Sequence, residues 1–119
     1  MNQQGTVIRP GFIRASIRLQ VPSKKLSEVL GILESVCEQV QFEPNCIYTR
    51  LYRSTNEVDT IMLEELWSND QELHRHLQSE AYGRVLLAIE MASAPPEIRF
   101  DEIVESTGFE TIKAVRIKT

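Results

Sequence analysis

An acid, an indole, an imidazole and a phenol crowd into one short stretch, Glu65-x-Trp67-x5-Leu73-x-x-His76-Leu77-x-Ser79-x-x-Tyr82. A strand-like run ends at Glu64-Glu65-Leu66-Trp67. Ser68 with Gln71 then makes a capping box, so a helix starts directly after Trp67. Groups gathered at such a strand-to-helix corner could line a pocket, move a proton and hold a developing oxyanion.

Each residue has a chemical and a structural reading. His76 shares a helical stripe with Leu73 and Leu77, so its ring points at the sheet. An imidazole with a free pKa of about 6.5 suits acid/base work near neutral pH. The alternative is a buried histidine bonded to Glu65 or a backbone carbonyl, bracing the corner. Trp67 offers an aromatic wall with one N–H donor, or packs the end of the core. Glu65, on the strand face of Trp67, either orients His76 or bridges to an arginine. Tyr48 and Tyr82 are candidate pocket phenols. His74 lies on another helix face and is read as exposed. Two histidines at i, i+2 on a helix diverge by about 200° and rarely hold one ion. No metal site is expected, and Cys37 and Cys46 lack histidines at zinc-ligand spacing.

Composition narrows the function classes. The 119 residues suit one domain. A net charge of -4 and a pI near 5.2 argue against a dedicated nucleic-acid binder. No apolar run reaches the roughly 18 residues of a membrane span, and no secretory signal is visible. A reducing, cytoplasmic setting is the simplest expectation.

The elements that must position the corner are legible as periodicities. Residues 1–11 read as a flexible lead-in. Ile13, Ala15, Ile17, Leu19 and Val21 alternate with Arg14, Ser16, Arg18 and Gln20, which makes a half-buried strand. Leu26, Val29, Leu30, Leu33, Val36, Cys37 and Val40 recur at three and four, which makes an amphipathic helix. After the turn Glu43-Pro44-Asn45-Cys46, strands are expected over Ile47–Arg53 and Val58–Trp67, joined by a hairpin at Ser54–Glu57. A helical stripe runs from Leu73 to Ile89 with a break near Ser79, and Ile98–Val104 forms a fourth strand. Residues 108–119 alternate again and are read as an extra C-terminal strand, with Lys113, Arg116 and Lys118 blunting its edge. The order β-α-β-β-α-β predicts an α+β, ferredoxin-like split βαβ sandwich spanning 12–107, an antiparallel sheet with helices on one face. The other face is expected to meet a partner, the row Arg14, Ser16, Arg18 lying opposite the acids Asp59 and Glu65.

The stretch from Phe12 to Glu105 resembles the antibiotic biosynthesis monooxygenase family, also called quinol monooxygenase-like proteins. The resemblance rests on Glu65-Leu66-Trp67, on Leu73 to Leu77, and on the turn Glu43-Pro44-Asn45-Cys46-Ile47-Tyr48. In that turn Asn45 takes a slot where relatives have Gly, which its tolerance of positive φ permits. The resemblance implies a homodimer, a dimeric α/β barrel in which each subunit holds a pocket between sheet and helices. It also implies cofactor-independent oxidation of a small aromatic or quinol substrate by dioxygen; in such a pocket His76 is the candidate acid/base group, and Trp67, Tyr82, Tyr48 and Glu65 are the candidate substrate contacts. The rival readings are an isomerase using the same pocket and a non-catalytic, ligand-binding or stress-response dimer. The chain departs from the pattern at Ser79-Glu80-Ala81-Tyr82, where relatives carry a second histidine. It departs from the haem-degrading branch more fully. That branch has Trp at the place of His76, a haem-ligating His at that of Leu86, and an Asn on the first strand, where Phe12–Val21 contains none.

Overall fold

A computed structural model describes residues 5–117. The chain runs β1 (Ile13–Gln20), a 3-10 turn (Ser23–Lys25), α1 (Leu26–Val40), β2 (Cys46–Arg53), β3 (Thr60–Trp67), α2 (Asp70–Leu77), α3 (Glu80–Glu90), β4 (Glu97–Glu102) and α4 (Phe109–Ile117). The strands form one antiparallel sheet in the order β2-β3-β1-β4. This is the expected α+β, ferredoxin-like arrangement.

The alternation in β1 does what its period requires. Ile13, Ala15, Ile17 and Leu19 are buried, while the residues between them are partly exposed. Across the ladder Ile17 pairs with Leu63 and Leu19 with Ile61, so β3 presents Ile61, Leu63, Glu65 and Trp67 to the same side. Val29, Leu33, Val36 and Val40 of α1 and Ala81, Val85 and Ala88 of α3 close over that face. The core therefore lies between the sheet and its helices.

The corner after β3 is built by different caps from those expected. Asn69, in extended conformation, is the α2 cap, and its side chain accepts from the Glu72 N–H at 2.9 Å. Ser68 instead donates its hydroxyl to the Asn45 side chain at 3.1 Å, and its backbone N–H donates to the Asn45 carbonyl at 3.0 Å. Asn45 thus stitches the β2 entry to the β3 exit. Its backbone is not left-handed; Asp59, with φ 54°, is the one non-glycine residue of positive φ among those described. The helical stripe breaks at Ser79, whose hydroxyl oxygen accepts from the Tyr82 N–H and caps α3. Asn69→Ala is expected to cost about 1 kcal/mol of stability in urea unfolding.

Two further expectations are corrected. The C-terminal stretch is a helix, not a strand: the Gly108 N–H donates to the Glu110 side chain at 3.0 Å at its start, and none of its residues is buried. Lys118, assigned to that strand's edge, lies outside the described residues, as does the start of the 1–11 lead-in. Within the lead-in, Gly11 is tied to Ile103 by a backbone bond of 2.8 Å. On the open sheet face, the arginine row meets other acids than Asp59 and Glu65. Arg14 faces Glu64 at 3.6 Å, and Arg18 reaches Glu57 and Glu97. Glu65 belongs to the helix side, because strand neighbours point to opposite faces. No helix among the described residues is long and apolar enough to cross a membrane.

Candidate active site

The sequence places Glu65 and Trp67 two apart on β3, so both aim at the helices, and α2 brings His76 down on them. Glu65 is 3% exposed, Trp67 1% and His76 1%. The Glu65 carboxylate is the hub. Its Oε1 accepts from the Trp67 indole N–H at 3.2 Å, and its Oε2 accepts from the Thr49 hydroxyl at 3.1 Å. His76 Nε2 lies 3.0 Å from the same Oε1. That approach is close but off the direction of the ring N–H, so it is an electrostatic contact and not a directed hydrogen bond. Neither ring nitrogen of His76 makes a directed hydrogen bond among the described residues. A buried polar atom without such a bond costs about 1–3 kcal/mol.

Aromatic contacts fix the imidazole plane. Trp67 stacks on it with centroids 4.6 Å apart at 29°, and Tyr82 meets it edge-on at 5.4 Å and 83°. Beside the ring is a hollow between sheet and helices. Ala15, Ile17, Leu63 and Leu73 wall it, Glu65 and His76 supply its polar groups, and Tyr82 and Phe100 stand at its mouth. The hollow with its open mouth spans ≈ 250 Å³, of which the centre of a water molecule can reach only ≈ 10 Å³. That is room for about one water. Phe100 is 47% exposed, so the mouth is apolar and faces solvent.

The electrostatics follow from this crowding. Burial, and then the Glu65 charge, push the Tyr82 phenol above its ordinary value, so it stays a proton donor through neutral pH. Burial likewise lifts the Cys37 thiol, and the Cys46 thiol is pushed up to about 12, with Glu65 and Glu43 adding to its desolvation. Neither sulfur is a nucleophile at neutral pH. Among the described residues no group of three His, Cys, Asp or Glu stands close enough to hold a metal ion.

The structure brings His76, Glu65, Trp67 and Tyr82 together. It does not bring Tyr48 to them. A bulge between Cys46 and Tyr48 shifts the β2 register, so Cys46 pairs with Trp67 and Tyr48 with Leu66. Tyr48 therefore lies on the open face, where its hydroxyl donates to Glu64 and the Arg50 guanidinium sits 3.8 Å over its ring. Trp67 is buried behind the imidazole and does not wall the hollow. Thr49 is the residue that sequence reasoning missed. It pairs with Glu65 across the ladder, a neighbour that only the post-bulge register reveals. His74 is exposed, as expected, and lies 3.4 Å from Asp70.

A ferredoxin-like sheet with a buried glutamate, histidine and tryptophan beneath its helices defines a small α+β domain with a pocket at the β3–α2 corner. The profile of the antibiotic biosynthesis monooxygenase family matches residues 12–86, and the chain belongs to that family. Solved structures agree on the fold. A conserved protein from Methanosarcina mazei is 23% identical, with 76% of this chain and 91% of that one covered at a TM-score of 0.71. A Mycobacterium tuberculosis protein is 16% identical, with 82% of this chain and 99% of that one covered at 0.74. A structure described as antibiotic biosynthesis monooxygenase is 16% identical, with 78% and 99% covered at 0.71. No curated protein sequence matches the chain.

Proposed function

We propose that this chain is a cofactor-independent oxygenase of small phenols or hydroquinones and works as a cytoplasmic homodimer. The observation that carries the reading is the buried His76 imidazole, braced by Glu65 and Trp67, with ring nitrogens unclaimed by directed bonds beside an apolar hollow. Family membership supports an oxygenase over the rivals. The dimer rests on the resemblance and on the open sheet face, where Arg14, Glu64, Tyr48 and Arg50 form one continuous polar layer.

The chemistry asks little of a protein beyond proton control. His76 takes the hydroxyl proton of a hydroquinone. The anion passes one electron to dioxygen, and the semiquinone and superoxide combine at a ring carbon that bears hydrogen. His76 returns its proton to the peroxide anion so formed, and loss of water from that hydroperoxide leaves a hydroxyquinone. One hydroquinone and one dioxygen give one hydroxyquinone and one water, so no external reductant is needed. Tyr82, kept protonated, donates to the oxyanion, and the apolar walls exclude bulk water. The hollow as it stands holds only about one water, so Phe100 and Tyr82 at its mouth must turn aside to admit a ring.

Dioxygen uptake against a panel of hydroquinones tests the reading. The expected result is one dioxygen consumed per quinol, with one atom of labelled oxygen in the product and no added metal or flavin. Proton exchange into the ligand without oxygen uptake would instead identify an isomerase. Saturable binding without either would identify a ligand-holding module.

A further inference from the structure

α4 is a helix without a surface. It has nine residues, none of them buried, and Phe109, Ile112, Val115 and Ile117 are 52–69% exposed. A helix that short is marginal in water unless an apolar side is packed against something. Phe109, Ile112 and Val115, three apart, share one side of it. The molecule measures 52 × 34 × 27 Å, which is elongated for a chain of this length.

The route of the connecting segment shows where the helix is not going. Ile103 is pinned by two backbone bonds of 2.8 Å, to Gly11 and Phe12. Residues 104–107 then share a surface groove with Arg14 and Asp101, whose positions on β1 and β4 belong to the open sheet face. The chain therefore leaves toward the side opposite its own pocket mouth.

That mouth is itself under-covered. Ile98 and Phe100 occupy the helix side of edge strand β4, at 42% and 47% exposure. Leu86, one turn along α3 from Tyr82, is half exposed. Glu102 follows Ile98 and Phe100 on the same face of β4, and α4 carries Lys113 and Arg116 beside its apolar side. Apolar side and charge both match, and the matching surface lies across the sheet from where the segment exits.

We propose that α4 is an exchange arm. The helix of one copy lies over the pocket mouth of a second copy, setting Phe109, Ile112 and Val115 on that copy's Ile98, Phe100 and Leu86. The arm then supplies the outer wall that the isolated hollow lacks, and each site is complete only in the dimer. This rests on the homodimer of the proposed function.

The full chain tests it. A photoreactive benzoylphenylalanine replaces Ile112, and this chain is mixed with nitrogen-15-labelled chain lacking the photoreactive group. Irradiation is expected to join α4 to labelled peptides containing Ile98, Phe100 or Leu86. In parallel, the triple change Phe109→Asp, Ile112→Asp, Val115→Asp is expected to raise the dimer dissociation constant at least about tenfold by sedimentation. Because all three side chains are exposed, the urea midpoint of the dissociated chain should not move. If the parent sediments as a dimer but the cross-links join α4 only to its own chain, or only to open-face peptides, the arm is wrong and the dimer stands. A parent that stays monomeric at every concentration overturns both.

Discussion

With a hydroquinone as substrate, His76→Gln should lower kcat by about 10²–10⁴-fold, the usual contribution of a positioned acid/base group. The glutamine amide fills similar space and can still contact Glu65, but it cannot take up a proton. The reacting hydroxyl then loses the imidazole base beside it, while the apolar walls of the hollow are unchanged. KM should therefore move little, because the walls are Ala15, Ile17, Leu63 and Leu73, none of which the substitution touches. Dioxygen uptake gives both constants. A variant that keeps parental kcat would show that the imidazole only fills the corner, and would favour a binding module over an oxygenase.

That ring was legible in the sequence because two periodicities converge on it. The 3.6-residue stripe of Leu73, His76 and Leu77 could point only inward, since the rest of α2 is polar. The two-residue period of β3 could place Glu65 only with Trp67. Burial on one side is what makes such patterns informative, and the same condition accounts for the failures. α4 has no buried side, and its apolar residues fit either period: Phe109, Ile112 and Val115 the helical one, Phe109, Val115 and Ile117 the alternation of a strand. Tyr48 was misplaced because a bulge inserts one residue into β2, and a slip of one reverses every side chain beyond it. Thr49 was missed for the same reason. The Asn45 turn was misjudged because asparagine serves two ends: it tolerates positive φ, and it carries an amide that can bridge. Here the bridge to Ser68 is what the fold uses. Register and cross-strand stitching are non-local, and single-chain periodicity does not carry them.

Glu65→Ala should be the most destabilising single change at the site, costing about 3–5 kcal/mol in urea unfolding. The carboxylate collects the Thr49 hydroxyl, the Trp67 indole N–H and the His76 ring, all away from water. An alanine leaves these groups facing a void that is too apolar to hydrate them well. Glu65→Gln separates charge from shape. The amide oxygen keeps one acceptor, but its NH2 turns a donor toward another donor, so a smaller loss of about 1–3 kcal/mol is expected. The chain has a single tryptophan, and it is a member of this cluster, so its fluorescence reports the hub directly. Both variants should shift the emission of the folded protein, the alanine more than the glutamine. Should Glu65→Ala unfold at the parental midpoint with unaltered emission, the carboxylate would be a bystander. His76 would then owe its orientation to the aromatic contacts with Trp67 and Tyr82, and the hydroxyl of Thr49 would have no part in the site.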